Sequence, residues 1–186
     1  METLSGLWLP ILISAILAFV ASSLIWMVVG YHKADWKGLP NEPAVLDTLG
    51  KQSLSPGQYV FPHAKDAKAM KEPAFVEKMK KGPVGHIVVR PAGEFNMGRT
   101  LSLWFVYLLL VSAAVAFVTA QALPAGAAYM RVFRVAGGAA VAAYALGNLP
   151  KSIWWGHTWS STVKEVVDGI VYGLLTAGTF GWLWPR

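Results

Sequence analysis

The first long apolar run of the chain is the feature that most constrains its fold. It reads LWLPILISAILAFVASSLIWMVVG, from Leu7 to Gly30, and contains no charged residue. A helix needs about 20 apolar residues to cross a bilayer, so this run is long enough. A secretory signal peptide is the competing interpretation, because AFVAS offers small residues typical of cleavage sites. METLSG carries no basic residue and the apolar run continues past that point, so we expect an uncleaved transmembrane helix within residues 1–30.

Three further apolar runs follow in the C-terminal part of the chain. The first covers about residues 101–123 and ends at LPAGA, where Pro and Gly break a helix. The second covers about residues 130–147 and has two arginines in its first turns, whose long side chains can reach the membrane interface. The third covers about residues 162–184 and begins with Thr162 and Glu165 in the spacing of a capping box. The sequence therefore predicts an all-α membrane bundle of four transmembrane helices.

The composition agrees with an integral membrane protein. Hydrophobic residues make up 55% of the chain and charged residues only 14%, whereas soluble proteins carry about 25% charged residues. Nine tryptophans in so short a chain are typical of rings that anchor helices at the level of the lipid headgroups. The absence of cysteine excludes disulfides, thiolate metal sites and cysteine nucleophiles.

The segment of residues 31–99 separates the first helix from the other three, which lie within residues 100–186. NEPAVLDTLGKQ and EPAFVEKMKKG predict two short helices, and GQYVFP and GHIVVRP predict two short strands. We expect Phe75, Val76 and Met79 to form the inward face of the second short helix. The sequence thus predicts a small α+β extramembrane insertion. Its few apolar residues cannot form a sizeable core, so we expect it to rely on the membrane or on the helix ends.

The insertion is basic. Between Tyr31 and Arg99 the chain has eleven Lys or Arg against seven Asp or Glu, part of a formal net charge of +6. A basic surface can bind nucleic acid or anionic lipid. Next to a membrane the headgroups are the nearer partner, so we expect anionic headgroups rather than nucleic acid to bind this insertion.

The distribution of basic residues at the span ends predicts an orientation. The side of the membrane that holds the insertion has Lys33, Lys37, Arg90, Arg99, Lys151 and Lys164, and the other side has Arg131, Arg134 and Arg186. Because cytoplasmic loops carry the excess of Lys and Arg, we expect the insertion in the cytoplasm and both termini outside.

A row of small residues recurs every four positions on the fourth span: Gly169, Gly173, Ala177 and Gly181. Such a row lets another helix backbone approach closely in lipid. Two interpretations stay open. The row packs against another helix of the same bundle, or it is a face for a partner subunit.

All four histidines fall on one side of the membrane if there are four spans, and two of them begin the pattern His-x-x-Asp. Imidazole and carboxylate are good ligands for zinc, iron or manganese. The candidate metal ligands are therefore His32, Asp35, His63, Asp66 and His157. The alternative is that these are ordinary interfacial and surface residues. Haem is not favoured, because its axial histidines should lie inside the spans and none does.

Two acidic residues, Glu165 and Asp168, lie within the fourth predicted span. Charged residues inside spans often mark a proton or ion pathway. In the first two turns of a helix the positive end of its dipole also stabilises carboxylates without any function. No phosphate-binding glycine loop and no G-x-S-x-G nucleophile motif occurs in the sequence, so we predict no catalytic or cofactor-binding residues.

Five stretches together carry a resemblance: DWKGLP, GQYVFPH, FVEKMKKGPVG, MGRTLSLWFVYLL and WSSTVKEVVDGIVYGLLTAGTFGWLWP. They resemble a group of uncharacterised small bacterial four-span membrane proteins, and the likeness extends over most of the chain. The resemblance implies a multi-pass protein of the bacterial cytoplasmic membrane with this order of spans. It implies no activity, cofactor or catalytic residue.

These observations lead to one functional expectation and two alternatives. We expect a non-enzymatic accessory or assembly subunit that meets a membrane-protein partner, or a second copy of itself, through the small-residue row. The first alternative is a metal-dependent membrane enzyme or redox subunit that uses the histidine-bearing side, and a transition metal enters only with this alternative. The second is a small transporter, which is suggested by Glu165 and Asp168.

Overall fold

In a computed structural model that describes residues 4–185, the chain forms two compact units. One unit combines the residues up to Trp36 with those from Asn96 onward, and the other comprises Lys37–Phe95. The first three residues and Arg186, which entered the orientation argument, lie outside the described part. The chain is mostly helical, with one small two-stranded sheet.

The elements follow one another along the chain without long gaps. In order they are a 3-10 turn (Leu4–Leu7), α1 (Trp8–Ser23), a π-helical turn (Leu24–Val29), a 3-10 turn (Tyr31–Asp35), α2 (Glu42–Lys51), β1 (Gly57–Phe61), a 3-10 turn (Ala69–Lys71), α3 (Pro73–Lys81), β2 (Gly85–Val89), α4 (Met97–Ala122), α5 (Tyr129–Tyr144), a 3-10 turn (Leu146–Asn148), α6 (Leu149–Trp155) and α7 (Trp159–Leu183).

Four helical stretches are long and apolar enough to cross a membrane, as predicted. They are Trp8–Val29, Met97–Ala122, Tyr129–Trp155 and Trp159–Leu183. The third continues past the expected end at residue 147, because Pro150 lies in the first turn of α6, where a backbone N–H has no helical partner. Asn-Leu-Pro therefore does not end the span.

The predicted capping box at the start of the fourth span is wrong. Helix α7 begins at Trp159, one turn earlier, and its N-cap Thr158 makes no side-chain capping bond. The Thr162 backbone N–H already donates to the Thr158 carbonyl at 3.1 Å, and the Thr162 hydroxyl accepts from Ser152 at 2.7 Å. Asp168 consequently lies in the third turn of the helix. The helix dipole stabilises carboxylates only in the first turn, so it does not explain Asp168.

The small-residue row of α7 packs against α5 within the same chain. A Cβ atom at Gly169 would lie 2.6 Å from the Tyr144 carbonyl oxygen, and one at Gly173 would lie 2.5 Å from Cγ2 of Val141. At Gly181 a Cβ atom would meet the Tyr129 ring at 2.7 Å. The two backbones therefore approach as closely as the small side chains allow, and this face of α7 is occupied by α5.

Helices α1 and α4 meet through polar as well as apolar groups. The Ser14 hydroxyl donates to the Ser112 hydroxyl at 3.0 Å, and both residues are fully buried. Nearer one end of the bundle, the Trp104 indole N–H donates to the Ser22 hydroxyl at 2.9 Å. Such bonds between membrane helices contribute roughly 1 kcal/mol each.

The second unit consists of α2, α3 and an antiparallel hairpin of β1 and β2, with Tyr59 opposite Ile87. The predicted helices and strands of the insertion are therefore present. None of its residues is buried, however. Phe75 is half-buried, but Val76 is 38% and Met79 41% exposed, so the inward face that we predicted for α3 is wrong for those two side chains. The unit is too small to enclose them.

Candidate functional site

A change of helical geometry at the end of the first span places two key side chains. After α1 the chain makes a π-helical turn, in which the Gly30 N–H donates to the Ile25 carbonyl at 2.8 Å. Gly30 has a φ of +66°, in the left-handed region that glycine adopts without strain. The 3-10 turn of Tyr31–Asp35 follows directly and contacts α7. The π-helical turn and Gly30 thus bring Tyr31 and His32 into contact with the fourth span.

His32 lies between two carboxylates. Its Nδ1 atom is 2.9 Å from Oδ2 of Asp35, and its Nε2 atom is 2.9 Å from Oδ2 of Asp168 on α7. His32 is only 2% exposed, and the Asp35 and Asp168 side chains are 6% and 5% exposed. The indole of Trp26 stacks on the imidazole with ring centroids 4.0 Å apart and planes nearly parallel. We call these three residues, Asp35, His32 and Asp168, the buried array.

Two further side chains complete the hydrogen bonds of the array. The Lys164 ammonium donates to Oδ1 of Asp35 at 2.6 Å and to the Tyr31 carbonyl at 3.0 Å. The Tyr31 hydroxyl donates to Oδ1 of Asp168. Every carboxylate oxygen of the array therefore has a hydrogen-bond partner, which is what buried charges require.

Hydrogen bonds at both nitrogens of His32 require one proton more than a neutral imidazole carries. A neutral imidazole has one donor nitrogen and one acceptor nitrogen, whereas an imidazolium donates from both. Because both nitrogens of His32 face carboxylate oxygens, either His32 is protonated or one aspartic acid is. With His32 protonated, the ammonium and imidazolium balance the two carboxylates.

The surroundings shift the pKa of two groups just outside the spans. Burial raises the pKa of the Tyr31 hydroxyl well above its usual range, and the hydrogen bond to Asp168 and the carboxylate charges add to this effect. The hydrogen bond from Lys164, assisted by that from His32, holds the pKa of Asp35 below its usual range despite burial. Tyr31 therefore stays a hydrogen-bond donor, and Asp35 stays ionised.

A cavity of about 420 Å³ lies on the Asp168 side of the array. Most of its wall is aromatic: Trp26, Trp104, Tyr107, Tyr144 and Tyr172. Its other polar lining side chains are Asn148, Lys151 and Glu165, and Lys151 pairs with Glu165 at 2.9 Å. This size falls within the range of small-molecule pockets.

A smaller cavity of about 250 Å³ lies on the other side of the array, lined by His32 and Asp35. Trp26 and Glu165 line both cavities. The array therefore connects two cavities through a continuous series of titratable groups.

The structure distributes the predicted metal ligands over separate places. His32 and Asp35 join the array, where both imidazole nitrogens are engaged by carboxylates. His157 lines the smaller cavity. His63 and Asp66 are exposed residues of the second unit, where Asp66 accepts a hydrogen bond from the Ala69 N–H at 2.8 Å. Among residues 4–185 no group of three or more His, Asp or Glu that could hold a metal ion occurs.

Sequence reasoning found His32, Asp35 and Asp168 but missed their association and missed Lys164, Tyr31 and the aromatic cavity. One signal was available, because Lys164 and Asp168 lie four residues apart on one face of a helix. No pattern of spacing could link them to Tyr31 and His32, which are more than 130 positions away. The comparisons with known proteins add nothing here: no protein-family model, no curated protein and no solved structure matches the chain.

Proposed function

We propose that this protein is a small non-enzymatic transporter that moves protons, either alone or together with a solute. The observation that carries the proposal is the hydrogen-bonded series of Asp35, His32 and Asp168, whose members line two cavities. Ionisable residues inside membrane proteins are costly and commonly form proton relays. A carboxylate, an imidazole and a second carboxylate in direct hydrogen-bond contact can pass a proton without large movement.

Polar groups deeper in the bundle support a pathway beyond the array. Asp168 and Tyr172 line the larger cavity together, and Tyr144 lies on the same wall. The Tyr144 hydroxyl faces Ser112, which is bonded to Ser14 in the fully buried interface of α1 and α4. Polar side chains are therefore present beyond the array, toward the middle of the spans.

The test is proton flux into liposomes that contain the purified protein and a trapped pH-sensitive dye. A potassium gradient with valinomycin makes the interior negative and drives protons inward. The wild type should acidify the interior faster than protein-free liposomes, and His32→Asn should reduce the rate to that of protein-free liposomes. The repeated His-x-x-Asp offers a matched control, because His63→Asn makes the same change at an exposed residue of the second unit and should leave the flux unchanged.

A second variant keeps the test valid if His32→Asn does not fold. Glu165 lines both cavities and is 20% exposed, so Glu165→Gln should fold normally and still slow the flux. Flux in the wild type equal to that of protein-free liposomes, or equal flux in the wild type and both variants, would contradict the proposal.

We place this transporter in the cytoplasmic membrane of a bacterium, with the basic insertion in the cytoplasm. The resemblance to small bacterial membrane proteins and the distribution of Lys and Arg at the span ends support this location. Cysteine substituted at exposed Lys78 should react with an impermeant maleimide only after the membrane of intact cells is opened. The native chain has no cysteine, so the label reports that position alone.

An accessory or assembly subunit is the second candidate, and the exposed apolar residues of the insertion favour it. Val60, Val88 and Met70 are 53%, 60% and 56% exposed on a unit that buries no residue. Because α5 occupies the small-residue row of α7, a partner would bind elsewhere, and this surface is the place that we propose. Changing Val60 and Val88 to Asn should release a partner that co-purifies in mild detergent, and retention of that partner would exclude this surface.

A further inference from the structure

We propose that an anionic phospholipid binds to the exposed face of α5, with its phosphate group held by Arg131 and Arg134. The inference concerns the end of the bundle where α4 ends and α5 begins. The array meets α7 near the start of that helix. Where α7 ends, the Trp184 indole N–H donates to the Pro124 carbonyl at 2.9 Å, between α4 and α5. The arginine pair therefore lies at the other end of the bundle from the array.

The two arginines have no counter-charge among residues 4–185. Both are exposed, and neither forms an ion pair or a side-chain hydrogen bond with a described residue. No Asp or Glu occurs between Glu94 and Glu165 or after Asp168, so α4, α5 and the C-terminal part of α7 contain no carboxylate side chain. Unpaired charges in a membrane helix are costly, so an anion from outside these residues would stabilise the pair.

The spacing of the two arginines suits one phosphate group. Residues three positions apart are neighbours on a helix, with Cβ atoms about 5–6 Å apart. Cα–Cβ bonds tilt toward the helix N-terminus, so Arg134 extends toward Arg131 and the start of α5. Long side chains at a span end reach the headgroup level in this way. Guanidinium groups bind phosphate through paired N–H donors, so both side chains can bond to oxygens of the same group.

The rest of the exposed face favours a lipid over free phosphate. Gly138 and Ala142 continue the face of Arg134 at helical spacing, and both are exposed. A Cβ atom at Gly138 would meet no atom within 4 Å, so no other described element covers this part of α5. The helix belongs to one of the four stretches that are long and apolar enough to cross a membrane. A phospholipid can therefore place its phosphate on the arginines and an acyl chain along Gly138 and Ala142, whereas free phosphate makes only the first contact.

The test measures which lipid lies next to α5 in liposomes, by fluorescence quenching. A bimane label on Gly138→Cys reports this place alone, because the native chain has no cysteine and a side chain fits at Gly138. The bilayers mix dioleoylphosphatidylglycerol with dioleoylphosphatidylcholine, and one of the two carries bromine in its acyl chains. Quenching as a function of composition gives the preference for the anionic lipid over the zwitterionic lipid.

The labelled protein should prefer the anionic lipid at Gly138. Arg131→Gln and Arg134→Gln should each lower this preference about fivefold, the effect of one basic residue near an anionic surface, and the double variant should remove it. All three variants should fold, because neither arginine side chain has a partner among the described residues.

Two controls locate the effect. Ala114 is exposed on α4 and lies about as far from the end of α4 as Gly138 lies from the start of α5. A label on Ala114→Cys therefore samples a similar depth, and the arginine substitutions should not change its quenching. Arg99→Gln removes an exposed arginine at the start of α4, at the other end of that helix, and should leave the preference at Gly138 unchanged.

The inference fails if the preference at Gly138 equals that at Ala114, or if it survives in the double variant. It also fails if inorganic phosphate removes the preference and chloride at the same ionic strength does not, because the site would then bind a free anion. The measurement uses no proton gradient, so its outcome and that of the proton-flux experiment are independent.

Discussion

At the scale of single residues, the array shows how a membrane protein keeps ionisable groups in a buried position. Asp35, His32 and Asp168 are nearly inaccessible, yet each polar atom has a partner: Lys164 and Tyr31 satisfy the outer oxygens. Removing one partner from such a group leaves a charge without compensation, which is strongly destabilising. The array is therefore a strong connection between the end of the first span and α7.

The pKa of Asp35 gives a prediction about acid stability. Since Lys164 and His32 hold this pKa below the usual value of about 4, the stabilisation by Asp35 is complete above that value. It is lost as the pH falls through the lower pKa of the folded state. The melting temperature of Asp35→Asn in detergent should therefore lie below that of the wild type at neutral pH, and the difference should shrink with acidification.

The exposed carboxylate of Asp47 on α2 provides the control for acid stability. Asp47→Asn should follow the wild type at every pH, because this side chain lies in the second unit and is exposed. A melting-temperature difference between the wild type and Asp35→Asn that stays constant down to acid pH would show that the ionised form of Asp35 contributes nothing.

At the scale of elements, the contact of α5 with α7 depends on the absence of side chains. The Gly169 position faces the Tyr144 carbonyl and the Ala145 Cα atom, which are backbone atoms and cannot turn aside. Gly178 lies on the same helix, but the nearest atom to a Cβ there is the Tyr129 hydroxyl, 3.8 Å away. The two glycines thus share a helix and differ only in what they face.

Gly169→Ala should destabilise the protein by about 1–3 kcal/mol, the usual cost of overpacking a well-filled interface. Gly178→Ala should leave the stability unchanged or raise it slightly, because Ala favours the helix more than Gly does. Unfolding of both variants by SDS titration of the detergent-solubilised protein measures the difference. Equal stability of the two variants would mean that α5 can move away from α7 at no cost.

At the scale of the whole molecule, the chain combines a membrane bundle that has a core with an insertion that has none. The bundle encloses residues such as Phe180, Leu108 and Val132, each 0% exposed. The insertion, Lys37–Phe95, has short helices and a hairpin but no buried side chain. A domain of about 60 residues is only marginally stable even when it has a core, and this insertion buries no residue.

We therefore predict that a peptide of residues 37–95 is largely unfolded in buffer and gains helix on vesicles of anionic lipid. Lys78, Lys80 and Lys81 on α3 supply the attraction, at roughly 1 kcal/mol per basic residue near the surface. Far-ultraviolet circular dichroism with and without vesicles measures the change. Changing these three lysines to glutamine should abolish the gain, and vesicles of neutral lipid serve as the reference.

Much of the architecture follows from the sequence because hydrophobic length is a local property. A run such as Leu7–Gly30 crosses a bilayer whatever its neighbours are, and short helices and strands follow from proline, glycine and alternation. The ends of the helices do not follow from single residues in this way. A proline such as Pro150 starts a helix when it lies in the first turn and ends a helix when it lies further along. The capping box failed for the same reason: Thr162 and Glu165 fit the pattern, but α7 had already begun at Trp159.

The sequence by itself determined the four spans, the secondary structure of the insertion and the presence of acidic and histidine residues near the span ends. Only the tertiary structure decided which of these residues meet. It joined His32 to Asp168 and assigned the small-residue row of α7 to α5. It also buried the Tyr144 and Tyr172 hydroxyls without a hydrogen-bond partner among the described residues. The physical reason is range: insertion of a helix depends on its own residues, whereas a buried charge or hydroxyl depends on partners that only packing brings within hydrogen-bond distance.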